Sequence, residues 1–108
     1  MPSDILYHAT PAANVVSILA SGLLTARSAG RLKVVWLCTR SRRRWAVRHA
    51  AQRHATPVEE MAVFMVGIPK GTLLIHGQYR GLWRTLISAD VPPAWLAGWL
   101  PAGIVTGL

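Results

Sequence analysis

The sequence predicts a single α+β domain, with a small split mixed β-sheet and two principal helices. Three observations lead there. Short apolar or β-branched runs of strand length recur at residues 5–7, 32–38, 61–68 and 82–89. Two other segments carry apolar residues at helical spacing, one after Pro11 and one from about Arg42 to His54. The 108 residues hold no internal repeat, low-complexity tract or linker, which suits one domain with a modest core.

The stretch Asp4-Ile5-Leu6-Tyr7-His8-Ala9-Thr10-Pro11 organises the N-terminal half. Ile5, Leu6 and Tyr7 suit a strand, and His8 is expected where that strand ends. Thr10 then offers a side-chain oxygen to cap a helix, and Pro11 has no N–H to lose at its first position. Val15, Ile18 and Leu19, filled out by Val16 and Leu23, form the apolar stripe, and Gly22 is a natural stop. His8 is thus expected in a strand-to-helix turn, beside a helix N-terminus that favours negative charge.

Residues 24–32 read as a polar connection and 32–38 as a buried strand. Thr39 and Ser41 are expected caps for the second helix, over about Arg42 to His54. Its apolar positions are Trp45, Ala46, Val47, Ala50 and Ala51, and its start is strongly cationic. Thr56-Pro57 marks a loop, 61–68 a buried strand, and Pro69-Lys70-Gly71 a turn into a short strand at 72–75. A polar loop at 76–81 leads into the strand at 82–89. Pro92 and Pro93 must lie outside a central strand. Residues 94–100 then suit a short helical turn, and 101–108 a last strand with Ile104 and Val105, or a tail.

Charge is the strongest bulk property. Twelve Lys and Arg face four Asp and Glu, a net of +8, and ten of the twelve are Arg. Arg pairs with phosphate through two donors at once. The balance therefore points to nucleic acid or another polyanion. Arg40, Arg42, Arg43, Arg44, Arg48 and Arg53 are the expected phosphate-binding set. The first four oppose the helix macrodipole and repel one another, two terms that a bound anion relieves. No apolar run is long enough to span a membrane, and the first residues, with Asp4 and no basic stretch, do not read as a signal peptide. The single cysteine, Cys38, excludes an internal disulfide and makes a cytoplasmic protein the default. The four His and one Cys show no close metal-ligand spacing, so no metal is expected.

Leu6-Tyr7-His8-Ala9-Thr10, the helix with Ser17-Ile18-Leu19, and Ser21-Gly22-Leu23-Leu24 resemble the opening of the ADP-ribosyltransferase fold. The most similar branch holds the RNA 2'-phosphotransferases and the toxins that ADP-ribosylate nucleic acid. The resemblance implies NAD as co-substrate. It implies that Tyr7, His8, Ala9 and Thr10 form the cofactor-binding block, with His8 on the adenosine ribose. Ala46-Val47-Arg48-His49-Ala50 falls where the family carries an Ala-x-x-Tyr-Ala-like pattern, so His49 stands where an aromatic stacks on nicotinamide. From the residues alone, His49 reads equally as a half-exposed helix histidine beside Trp45. Leu82 to Pro93 resembles the family's later strand and its Ile-Pro-Pro-like turn, but Trp83, Arg84 and Thr85 stand where most members place a Glu. Positive charge developing in a transition state is stabilised by a carboxylate, not by an Arg. Arg84 fits phosphate handling better, as in the RNA 2'-phosphotransferases.

The expectation is therefore a minimal ADP-ribosyltransferase-like domain. It would be a NAD-dependent transferase acting on nucleic acid, by ADP-ribosylation or by transfer of an RNA 2'-phosphate to NAD. His8, His49 and Arg84 are its expected catalytic residues. Two other readings stay open. One is a module on the same scaffold that has lost catalysis and binds nucleic acid or a partner. The other is a metal-free ribonuclease with His8 and His49 as acid and base.

Overall fold

The computed structural model describes residues 4–25, 35–72, 85–87 and 89–106. The fold is α+β. Strand β1 (Asp4–Pro11) leads through a 3-10 turn (Ala12–Asn14) into helix α1 (Val15–Ser21). Then follow β2 (Val35–Leu37), a 3-10 turn (Arg40–Arg42), α2 (Arg43–Arg53), a 3-10 turn (Val58–Glu60), β3 (Met61–Ile68) and β4 (Thr85–Ile87). A 3-10 turn (Pro93–Trp95), β5 (Leu96–Pro101) and α3 (Ala102–Thr106) complete the order.

The sheet is split. One part has the order β1-β3-β5 and the other pairs β2 with β4. Among the described residues a single bridge, between Tyr7 and Cys38, joins them, with N–H to O distances of 2.9 Å in both directions. All these pairings are antiparallel. Cross-strand partners share a face, so the pleat sorts the side chains. Leu6, His8 and Thr10 lie on one face opposite Val66, Phe64 and Ala62. That face packs with Val35, Leu37, Val15, Ile18, Leu23 and Val91. Tyr7 and Ala9 lie on the other, with Met61, Val63, Cys38 and the buried side of α2. Phe64, fully buried between the two layers' strands, contributes on the order of 1.5–3 kcal/mol by its removal from water.

Several expectations change. β1 runs on to Pro11, so His8 is mid-strand and Thr10 is a buried strand residue rather than a helix cap. Its partner β3 supplies a register through Pro11–Met61, and this ladder outweighs the local capping preference. The Thr10 hydroxyl instead accepts a hydrogen bond from Asn14 Nδ2 at 3.2 Å. Thr39 and Ser41 cap nothing with their side chains, and their hydroxyls meet each other at 3.2 Å. In the α1 stripe Val15, Ile18 and Leu23 are buried, whereas Val16 and Leu19 are exposed. The expected helical turn at 94–100 is a 3-10 turn followed by β5, because residues 96–101 find a free edge on β3. The expected last strand is the short helix α3. The strand expected at 82–89 is seen as β4 at Thr85–Ile87, and that expected at 32–38 as β2 at Val35–Leu37. Thr72 is not in a strand; the rest of the strand expected at 72–75, the loop at 76–81, and residues 26–34, 82–84 and 88 lie outside the described residues.

Gly22 ends α1 as expected, at φ 79°, and its N–H returns to the Ile18 carbonyl at 2.7 Å. A Cβ there would collide with the Val91 carbonyl oxygen. That close approach lets Leu23 and Val91 exchange two backbone hydrogen bonds, at 2.8 and 2.9 Å. Two residues on, the exposed Asp90 carboxylate accepts the Thr25 N–H at 2.8 Å and the Thr25 hydroxyl at 2.9 Å. These bonds hold its pKa below the ordinary carboxylate value.

Candidate functional site

The candidate site lies at the fork of the split sheet, where β1 and β2 part after the Tyr7–Cys38 bridge. A strand side chain beside such a fork can reach the backbone of the neighbouring strand. His8 does so: its Nδ1 donates to the Trp36 carbonyl oxygen at 2.8 Å. That bond fixes the tautomer, leaving Nε2 of the neutral ring as a hydrogen-bond acceptor. No hydrogen bond to Nε2 is formed by the described residues. Burial lowers the pKa of His8, partly opposed by the Trp36 carbonyl and reinforced by the nearby charge of His54. The ring is therefore neutral near pH 7 and suited to accept a hydrogen bond from a hydroxyl group.

The other side of the fork is cationic. Directly after Cys38, Arg40, Arg42, Arg43 and Arg44 surround the start of α2. Arg43 is distinct among them. Its Nε donates to the Arg40 carbonyl at 3.2 Å, and its guanidinium sits 5.0 Å from the centre of the Tyr7 ring. This cation–π contact pins α2 onto β1. Arg40, Arg44, Arg48 and Arg53 are exposed, and Arg42 is half-buried. All four Asp and Glu side chains are described, and none forms an ion pair with these arginines. The positive field of α2 is thus left uncompensated by described acids. Cys38, behind the bridge, is an inert thiol: burial pushes its pKa up to about 12, against the opposing charge of Arg43.

His49 stacks on Trp45, with ring centres 4.7 Å apart and planes 15° from parallel. Trp45 packs on the Tyr7–Cys38–Val47 layer. His8 faces the opposite layer with Phe64. The sheet therefore stands between the two histidines, and the structure does not bring them together as an acid–base pair. Tyr7 and Ala9 are buried on the α2 side, and Thr10 on the His8 side. Arg84 lies outside the described residues.

Sequence reasoning did not foresee the Trp36 carbonyl as the partner of His8, since a backbone acceptor on another strand leaves no mark in the residue types. It also did not separate Arg43 from its neighbours. The i to i+4 spacing of Trp45 and His49 was the one legible signal for their stack. Among the described residues no group of three or more metal-ligating side chains comes together. An open depression of about 560 Å3 lies at the far end of β1, lined by Pro11, Ala12, Ala55, Thr56, Glu59 and Glu60. Compared with known proteins, the chain matches no family model and no curated sequence.

Proposed function

We propose that this protein is a NAD-dependent transferase acting on nucleic acid, either by ADP-ribosylation or by transfer of an RNA 2'-phosphate to NAD. The observation that carries the reading is the state of His8 at the fork. A neutral ring with Nδ1 committed to a carbonyl offers Nε2 to a sugar hydroxyl, as the first-strand His of the resembled family does with NAD. The arginine run around the start of α2 supplies the charge needed to hold a phosphate-rich acceptor. His49 on its own helix serves as a flanking ring rather than a proton partner of His8.

The test is incubation with NAD, alone and with single-stranded DNA, RNA and 2'-phosphorylated RNA, read by mass spectrometry. The expected outcome is nicotinamide release, with an acceptor gaining ADP-ribose or losing its 2'-phosphate. His8→Asn is expected to abolish it while leaving oligonucleotide affinity within about twofold, the size of a change that removes no phosphate contact. Turnover unaffected by His8→Asn would show the active-site assignment to be wrong.

The separation of His8 from His49 favours a second reading, a non-catalytic module that binds nucleic acid through α2. In either reading oligonucleotide affinity falls linearly with salt on logarithmic axes. The double variant Arg44→Gln/Arg48→Gln is expected to lower that slope by about one to two, since each lost phosphate contact removes about one unit. A salt titration of fluorescence anisotropy measures it, and an unchanged slope would place the polyanion elsewhere.

A further inference from the structure

The Trp45–His49 stack stands among the arginines of α2. Along the helix, Arg42 comes one turn before Trp45 and Arg53 one turn after His49. Arg44 and Arg48 each precede one of the two rings by one position, so they fall on the neighbouring line of the helix surface. Arg44, Arg48 and Arg53 are exposed, and Arg42 and both rings are half-buried. None of these four arginines is paired with an Asp or Glu. The buried stripe of Ala46, Val47, Ala50 and Ala51 holds α2 against the sheet, and Trp45 packs on the same layer. The stack is therefore anchored at one end and flanked by cations on both sides.

We infer that α2 takes nucleic acid as a single strand, with an unpaired base stacked on the Trp45–His49 pair and the flanking arginines on its phosphates. This rests on the proposal that α2 holds nucleic acid, and it names the form of that partner. In a duplex the faces of the bases cover one another, so a side-chain ring meets only base edges and backbone. An unpaired base offers its face, and stacking on aromatic rings holds it whatever its identity. Charge alone does not make this distinction, because single strand and duplex both present a line of phosphates. An acidic protein segment would use the arginines but not the faces of the rings. Because the two rings are already stacked and Trp45 is packed on the core, little side-chain freedom is lost when a base joins them.

Fluorescence anisotropy tests this with three probes of equal length: oligothymidylate, the same strand annealed to oligoadenylate, and an abasic strand that keeps the phosphates. The wild type is expected to bind oligothymidylate at least about fivefold more tightly than either other probe, although the duplex carries more phosphates. His49→Ala is expected to weaken oligothymidylate about tenfold, the size of one lost base stack. It should leave the abasic strand within about twofold and the salt slope unchanged, because no phosphate contact is lost. His49→Phe, which keeps a flat ring, is expected to restore oligothymidylate binding. Circular dichroism establishes that both variants are folded. Duplex or abasic strand bound as tightly as oligothymidylate overturns the inference. So does a folded His49→Ala that leaves oligothymidylate affinity intact or weakens all probes alike, or a folded His49→Phe that restores nothing. In those cases a salt slope lowered by Arg44→Gln/Arg48→Gln still places the polyanion on α2, and only the stacking is lost. Binding of no probe, or a slope unchanged by that double variant, overturns both the inference and the proposal it rests on.

Discussion

Ala55 carries the clearest residue-level strain. It follows α2 at φ 50°, the left-handed region that a Cβ disfavours. The helix end explains it: Thr56 N–H reaches back to the Ala51 carbonyl at 2.9 Å, which requires a left-handed residue between helix and loop. Ala55→Gly removes the steric cost and gives back part of it as unfolded-chain entropy, for a net gain of about 0.5–1 kcal/mol. Thermal unfolding is expected to show a midpoint a few degrees higher. His8 gives a pH prediction. Its folded pKa lies below the ordinary value of about 6.5, so the unfolded chain binds the proton first as pH falls. The stability contributed by the neutral, carbonyl-bonded ring is complete above about pH 6.5 and is lost as pH falls through the lower folded value. Urea unfolding at pH 7.5 and 5.5 is expected to show a larger loss for the wild type than for His8→Gln, which keeps a donor but does not titrate.

At the scale of elements, the decisive joint is between α1 and the segment before β5. Gly22 serves it twice, by its positive φ and by leaving room for the Val91 carbonyl. Both needs are violated by any side chain, so Gly22→Ala is expected to destabilise by at least about 3 kcal/mol, beyond the usual range for a surface change. Chemical denaturation measures it, and a loss under 1 kcal/mol would mean that the Leu23–Val91 bridge yields easily. α2 shows the same dependence on context. Its first turn has no acidic residue and no side-chain cap, so its N-terminal end gains little locally. Ala46, Val47, Ala50 and Ala51 against the sheet, and Arg43 on Tyr7, hold it in place.

For the molecule as a whole, the split sheet sets what the surface can do. β1 is paired on one side by β3 along its full length and, among the described residues, touched on the other through one bridge, at Cys38 just after β2. That asymmetry opens the fork beside His8, while the arginine run leaves the end of β2 on the far side of the Tyr7–Cys38 bridge and starts the helix that covers the opposite face. The two ends of the sheet differ in character. One carries the cationic helix start, and the other ends in the uncharged strand β5. Among the described residues no helix is long and apolar enough to cross a membrane.

By itself the sequence determined the α+β class, the strand at 61–68, the helix that became Arg43–Arg53, the stop at Gly22 and the excess of arginine. These follow from periodicity, glycine stereochemistry and charge, all of which are local or additive. The tertiary structure alone decided that Thr10 is a strand residue, that residues 96–101 extend a sheet, and that His8 and His49 face opposite layers. Each of these depends on which strand lies alongside. A ladder of backbone hydrogen bonds between distant segments outweighs a capping preference worth about 1 kcal/mol. For the same reason the tautomer of His8 was legible only in three dimensions, because it is set by a carbonyl twenty-eight residues away.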